Sequence, residues 1–323
     1  MIPITPGPPP TEALAWFRAK GFALGWDWRD VWREEHALAF TVAKIMELDL
    51  LADVRAAVES ALADGQTFRE FAQALTPILQ KAGWWGIQVQ TDPLTGEQRE
   101  VQLGSPRRLR VIYETNLRTA RAAGQWERIQ DTKDALPYLL YTLGPSREHR
   151  LEHVKWHGTL LPADDPWWND HFPPNGWGCK CRVRPVSQRE YARLQDTGVQ
   201  APPTAETQRP GGGRTAAKVP VQTTAPPSPT VPWENARTGE TVQVPVGIDP
   251  GWDYNPGARR AHLDALLAEK TRNASYSTEE SALLHFVKKR TGVERLEWLT
   301  AAQAGALIES LKAWGKRVGA DVE

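Results

Sequence analysis

The chain has 323 residues, with 39 Lys and Arg against 39 Asp and Glu, so its formal charge at neutral pH is zero. That length suits two domains or one elaborated domain, and the balance excludes the basic excess of a general polyanion binder, though not a local basic stripe. Two cysteines one residue apart cannot build a secreted disulfide framework, which favours a reducing compartment.

The first ten residues, M-I-P-I-T-P-G-P-P-P, lack the basic and apolar regions of a signal peptide. No apolar run approaches the roughly 20 residues that span a bilayer. The expectation is a soluble protein with no membrane partner, made in the cytoplasm. Residues 1–10 read as a proline-rich arm that cannot pack as a helix or central strand; it either binds a neighbour or trails as a tail.

Residues 11–86 read as a helical region. Thr11 is expected to cap a short helix that ends near Gly21. Trp26, Trp28 and Trp32 then form either a surface for a partner or a set of buried anchors between helices. From Glu34 to Ala63 the spacing of Leu38, Val42, Ile45, Met46, Leu50, Leu51, Val54, Val58 and Leu62 predicts one helical stripe, stopped by Asp64 and Gly65. Thr67-Phe-Arg-Glu70 is a capping box that opens a second helix through Phe71, Leu75, Ile78 and Leu79.

Residues 87–104 alternate around Asp92-Pro-Leu-Thr-Gly96, which predicts a β-hairpin, read here as a finger toward a neighbouring subunit. Residues 105–195 follow as a core domain, opened by a helix from Pro106 to about Gln130. Its face is rich in arginine, and Arg107, Arg108, Arg118 and Arg121 are candidate DNA contacts. The rival reading is a solvated, ion-paired face, since Arg110, Glu114 and Arg118 are spaced to pair along one side. Asn116, near Ile112, Leu117 and Ala120, is expected to be a buried polar tie that must be hydrogen-bonded. Tyr138-Leu-Leu-Tyr141 reads as a strand.

The stretch from His149 to Arg184 concentrates the chemistry: both cysteines, four of the seven histidines and four of the fifteen tryptophans. His153, His157, Cys179 and Cys181 make a candidate Cys2His2 zinc set, with the two histidines four apart on one helical face and His149 and His171 as competing ligands. The alternative is a pair of buried cysteines with histidines bonded to backbone. Arg150, Trp156, Trp167, Trp168 and Trp177 are expected to form a compact structural core where regular structure is sparse. A catalytic reading would pair a cysteine with a histidine, lower its pKa through Lys180, Arg182 and Arg184, and use Asp164 and Asp165 as acid and base. No Walker loop, nucleophile elbow or zinc-hydrolase helix accompanies it, so the expectation is that the protein is not an enzyme.

Residues 196–232, rich in Pro, Thr, Ala and Gly, read as a flexible linker or extended arm. Residues 233–323 read as a strand and turn element, with a strand at Val242–Val246 and Asp-Pro-Gly and Asn-Pro-Gly turns, followed by a helical tail. Its helices are expected at 258–270, from Ser277 to Arg290, and from Thr300 to Gly315.

Several of these motifs together carry a resemblance. Arg-x-x-His-x-x-x-His-Gly at 150–158, Asp-Asp-Pro-Trp-Trp at 164–168 and Phe-Pro-Pro-Asn-Gly-Trp-Gly-Cys-Lys-Cys-Arg at 172–182 resemble the head morphogenesis (minor head) proteins of tailed phages, the Mu protein F-like family. The likeness extends to Arg110, Glu114 and Asn116, to Ala123-Gly124, and to Gly247-Ile-Asp-Pro-Gly-Trp-Asp-Tyr-Asn-Pro-Gly257. It implies a structural minor head protein at the portal vertex, acting in head morphogenesis and in DNA packaging or delivery. The implied partners are portal protein, major capsid protein and other copies of the chain, within the virion head and, during assembly, the host cytoplasm. The rivals are a DNA-binding internal head protein using the 107–128 arginine face, and an enzyme centred on Cys179 or Cys181. The expected fold class is α+β and predominantly α-helical, with a β-hairpin, short strands, a compact Trp/His/Cys-rich core and a long Pro/Gly-rich linker.

Overall fold

The computed structural model of the chain describes residues 10–146, 148–202 and 217–258. The chain divides into two compact units, Met1–Ala258 and Arg259–Glu323, and every described residue lies in the first. The proline-rich arm over 1–9, the centre of the expected linker over 203–216 and the expected C-terminal helices lie outside the described residues. What is described mixes helices with small separate sheets, an α+β architecture.

The N-terminal part comprises α1 (Thr11–Arg18), β1 (Gly21–Phe22), α2 (Glu35–Leu38), β2 (Ala39–Phe40), α3 (Leu48–Ala63) and α4 (Phe68–Lys81). Thr11 is the first residue of α1 and does not cap it; Pro10 holds the cap position without a side-chain bond. The continuous helix expected over 34–63 is broken. After the single turn of α2 the chain extends, β2 pairs in parallel with β1, and Lys44 adopts a left-handed φ of 68° before α3 begins. Val42 and Ile45 are buried as expected, because a packed turn satisfies the same spacing as a helix, whereas Met46 is exposed. The capping box of α4 forms as read, with the Glu70 amide donating to Thr67 Oγ1 (3.3 Å) and the Thr67 amide to Glu70 Oε2 (2.7 Å).

Strands β3 (Ile87–Thr91) and β4 (Gln98–Gln102) form the expected antiparallel hairpin. Val101 and Leu103 reach into the helical core, while Ile87, Val89 and Leu94 face solvent. Helix α5 (Pro106–Thr132) follows, with Ser105 accepting from the Arg108 amide and Pro106 preset for its first turn. Leu109, Ile112 and Leu117 of α5 close a core with Phe17, Leu51, Val54, Val58, Leu62, Phe71, Leu75 and Leu79.

A second layer is built on β5 (Tyr138–Thr142). Beyond it come α6 (Leu151–Trp156), β6 (Leu160–Pro162), α7 (Trp168–His171) and β7 (Arg182–Val186), and β5 lies between β6 and β7 in an antiparallel sheet. Alternation along the strands sends side chains to both faces. Leu139, Tyr141, Leu161 and Val183 meet Trp156, Trp167, Trp168 and Phe172 on one face. Leu140, Leu160 and Val186 meet Leu194 of α8 (Gln188–Thr197) on the other.

The flanks of the expected linker are sheet-bound. Strand β8 (Val199–Gln200) pairs with β9 (Lys218–Val219), and the Gln222 backbone bonds to Gly158 and Leu160. Strand β10 (Thr230–Glu234) starts inside that segment and pairs with β11 (Thr241–Pro245), the strand expected near 242–246. Proline at sheet edges disguised these pairings, since an edge position tolerates a residue without an amide hydrogen.

Candidate metal centre

His153 lies in α6 and is buried. Its Nε2 is 2.9 Å from the carbonyl oxygen of Gly247. A carbonyl only accepts, so Nε2 carries the ring proton and Nδ1 keeps its lone pair. Nδ1 faces two sulfurs, at 3.4 Å from Cys181 Sγ and 3.9 Å from Cys179 Sγ. All three donor atoms lie within 4.8 Å of one another.

The sulfurs are placed by the turn that precedes β7. Gly178 takes a φ of 72°, and the Cys179 amide closes the turn on the Gly176 carbonyl at 3.1 Å. The Tyr141 hydroxyl donates to Asn175 Oδ1 at 3.3 Å. A hydrogen bond from Cys181 draws the Cys179 thiol well below its ordinary pKa against the effect of burial. The same bond, with burial, holds Cys181 above its ordinary value. Burial, reinforced by the two sulfurs, keeps Tyr141 protonated.

His157 is not part of this cluster, contrary to the Cys2His2 expectation. Helix α6 ends at Trp156, and His157 has an extended backbone, so the face shared at four-residue spacing stops short. Both its ring nitrogens are occupied by backbone: Nδ1 accepts from the Leu143 amide at 3.2 Å and Nε2 bonds the Gln200 carbonyl at 2.8 Å. His149 binds the Gly144 carbonyl at 2.9 Å. His171 bonds the Trp167 carbonyl and Ser228 Oγ, and burial lowers its pKa to about 4.

Around the cluster, Trp156, Trp167 and Trp168 are buried as expected. Trp177 is not: it is 41% exposed and meets Trp28 and Trp252 edge-on. The turn that aims Cys179 inward turns its neighbour out. Asn116 is half-buried and bonds the Ile112 carbonyl one turn back at 2.9 Å, so it ties its own helix. Arg150 donates to Asp249 Oδ2 at 2.7 Å, the oxygen that also accepts the Trp177 amide at 2.8 Å. Asp164 pairs with Lys133, and Asp165 accepts the Trp167 amide, which makes both structural turn residues.

The arginine face is divided. Arg108 points inward, donating to the carbonyls of Gln102, Leu103 and Ala43 and lying over Trp84, and burial lowers its pKa to about 10. Arg118 is engaged by Glu114 at 2.9 Å and the Cys179 carbonyl at 3.4 Å. Arg107 and Arg121 are exposed. The four expected DNA contacts therefore do not form one free basic surface.

The Trp26–Trp32 segment packs within the chain. Trp26 is buried, whereas Trp28 and Trp32 pack on Trp233 of β10, with Trp32 stacked at 4.9 Å. A cavity of about 50 Å³ beside Trp28, Trp32, Trp177 and Trp252 has room for water. It is far below the few hundred Å³ of a metabolite site. Sequence reading missed Tyr141, Asn175, Gly247 and Asp249 as parts of the cluster. The one signal was the Gly-Ile-Asp-Pro-Gly run at 247–251, whose spacing announces a turn but not its partner.

A protein-family model described as "Phage Mu protein F like protein" matches residues 52–184, and one described as "Bacteriophage Mu, GemA protein" matches residues 246–317. The chain is 39% identical over 265 residues to "Putative capsid assembly protein F" of Escherichia phage Mu, covering 81% of this chain and 57% of that protein. It is 40% identical over 176 residues to the Mu-like prophage FluMu F protein of Haemophilus influenzae, covering 54% of this chain and 41% of that one. The chain thus spans about half the length of these relatives. No solved structure matches it.

Proposed function

The chain belongs to the phage Mu protein F-like family, and on that premise we propose that it is a structural protein of a tailed-phage head that acts in capsid assembly. The observation that carries this reading is the 39% identity to a protein named for capsid assembly, over 81% of the chain. More finely, the protein is a minor head component at the portal vertex. It binds portal protein, major capsid protein and other copies of itself, in the host cytoplasm during assembly and then in the virion head, where it serves DNA packaging or delivery. Its mechanism is binding rather than catalysis, with the N-terminal helices and the β3–β4 hairpin as the contact region. The exposed Ile87, Val89 and Leu94 on that hairpin support the assignment, because apolar side chains held in solvent are what a protein partner would cover. No helix among the described residues is long and apolar enough to cross a membrane.

The test is co-expression with the portal protein of the same phage, followed by size-exclusion chromatography and native mass spectrometry. Co-elution at fixed stoichiometry is expected, reduced in an Ile87→Asp/Val89→Asp double variant that keeps its helical circular dichroism. Separate elution of two folded proteins would remove direct portal binding, and equal co-elution of the double variant would remove the hairpin from the contact.

A further inference from the structure

We propose that His153, Cys179 and Cys181 are the three protein ligands of a zinc ion, with the fourth tetrahedral corner taken by a solvent molecule. The metric fit comes first. Tetrahedral zinc with ordinary bond lengths sets its ligand sulfurs about 3.8 Å apart and a sulfur and an imidazole nitrogen about 3.6 Å apart. The two observed nitrogen–sulfur separations, 3.4 and 3.9 Å, lie on either side of that value.

The surroundings match a metal site more closely than a packed thiol pair. A ligating histidine characteristically donates its other ring N–H to a carbonyl, which fixes the tautomer and orients the ring. Here Gly247 provides that carbonyl, 94 residues along the chain from His153. Binding displaces the thiol protons to solvent, and two thiolates with one neutral imidazole and a divalent ion sum to zero charge. A neutral assembly can sit in a largely buried position without an uncompensated charge. Two sulfurs and a nitrogen select a soft or borderline ion over magnesium or calcium. Cys181 is only half-buried, which gives solvent its access to the fourth corner.

The full chain, purified under reducing conditions and equilibrated with zinc chloride, is read by native mass spectrometry and elemental analysis. One zinc per chain is expected. Affinity falls by roughly tenfold or more in Cys179→Ser and Cys181→Ser, while His157→Gln retains the metal. If the serine variants fail to fold, cobalt(II) loading of the unaltered chain decides. Thiolate-to-cobalt charge-transfer bands with tetrahedral ligand-field absorption are expected, and their absence would overturn the proposal. A folded, reduced chain that stays metal-free in zinc would overturn it as well. So would loss of zinc in His157→Gln equal to that in the cysteine variants, because it would restore a four-ligand site the geometry does not contain.

Discussion

Replacing Gly247 by alanine isolates the contact on which the His153 ring depends. Gly247 has a φ of 96°, and a Cβ added there would lie 2.5 Å from Glu152 Cβ and 3.0 Å from Trp156 Cη2. The left-handed backbone costs an alanine about 1–2 kcal/mol. Forcing a methyl group against α6 adds about 1–3 kcal/mol. If the backbone moves away instead, the buried His153 N–H loses its acceptor, at about 1–3 kcal/mol. The last two are alternatives to each other in part, so the expected total is about 3–5 kcal/mol. Gly239 is the matched control: its φ is 73°, but a Cβ there meets nothing within 4 Å. Gly239→Ala should therefore show the backbone cost alone, about 1–2 kcal/mol. For a unit of this size 1 kcal/mol moves Tm by about 2–4 °C, so the two variants should differ by about 5–10 °C. Thermal unfolding followed by near-ultraviolet circular dichroism reports on the tryptophan cluster directly. Equal shifts in the two variants would refute the close-approach argument and leave only backbone strain.

Three further perturbations test separate parts of the structure. Arg108→Ala removes a largely buried guanidinium that serves three carbonyls, and should cost about 2–3 kcal/mol in urea unfolding. Arg107→Ala, on the exposed side of the same turn, should stay within about 0.5 kcal/mol, and similar losses for both would contradict the inward placement. His171 has its pKa depressed by burial to about 4 from the ordinary 6.5, so its neutral form contributes stability that is full above pH 6.5 and lost as pH falls toward 4. The loss by pH 5 should be about 2 kcal/mol, and His171→Gln should flatten the stability slope between pH 6.5 and 5 by about one proton; an unchanged slope would reject the assignment. Thr67→Ala removes one half of the α4 capping box and should cost about 1 kcal/mol, with Ser at that position restoring it, measured by chemical denaturation.

What could be read from the sequence was whatever depends on neighbours within a turn or two. The capping box at Thr67 and Glu70, the β3–β4 hairpin, α5 and the strand at Tyr138 all rest on local patterns, and all are present. The convergence of His153 with Cys179 and Cys181 was also legible as a type of chemistry. Its membership was not, because α6 stops one residue before His157 and the expected i,i+4 face is lost. The break at 39–47 escaped for a related reason, since buried Val42 and Ile45 keep helical spacing on a chain that is not helical. The remaining errors are long-range. Whether Arg108 is a surface charge depends on Ala43, 65 residues away, and whether Asp249 is a mere turn residue depends on Arg150, 99 residues away. Periodicity carries no information at such separations.

Those long-range ties also fix the β3–β4 hairpin, proposed above as a contact region, to distant parts of the chain. The exposed hairpin is anchored at its turn: Asp92 is fully buried there and meets Arg99 at 3.0 Å and Arg237 at 2.5 Å. Arg237 also binds Asp30 at 2.8 Å, beside the segment whose Trp32 stacks on Trp233. Three stretches remote in sequence, 27–33, 92–99 and 233–237, are thus joined by charge and aromatic contact. A finger clamped in this way has little conformational freedom to lose when a partner covers Ile87 and Val89. Association then forgoes part of the ordering cost that a free hairpin would bear, about 0.5–1.5 kcal/mol for each side chain that would otherwise have to be immobilised. The docking role proposed for the hairpin would draw on this clamp, and the co-elution of the Ile87→Asp/Val89→Asp variant with portal protein tests it.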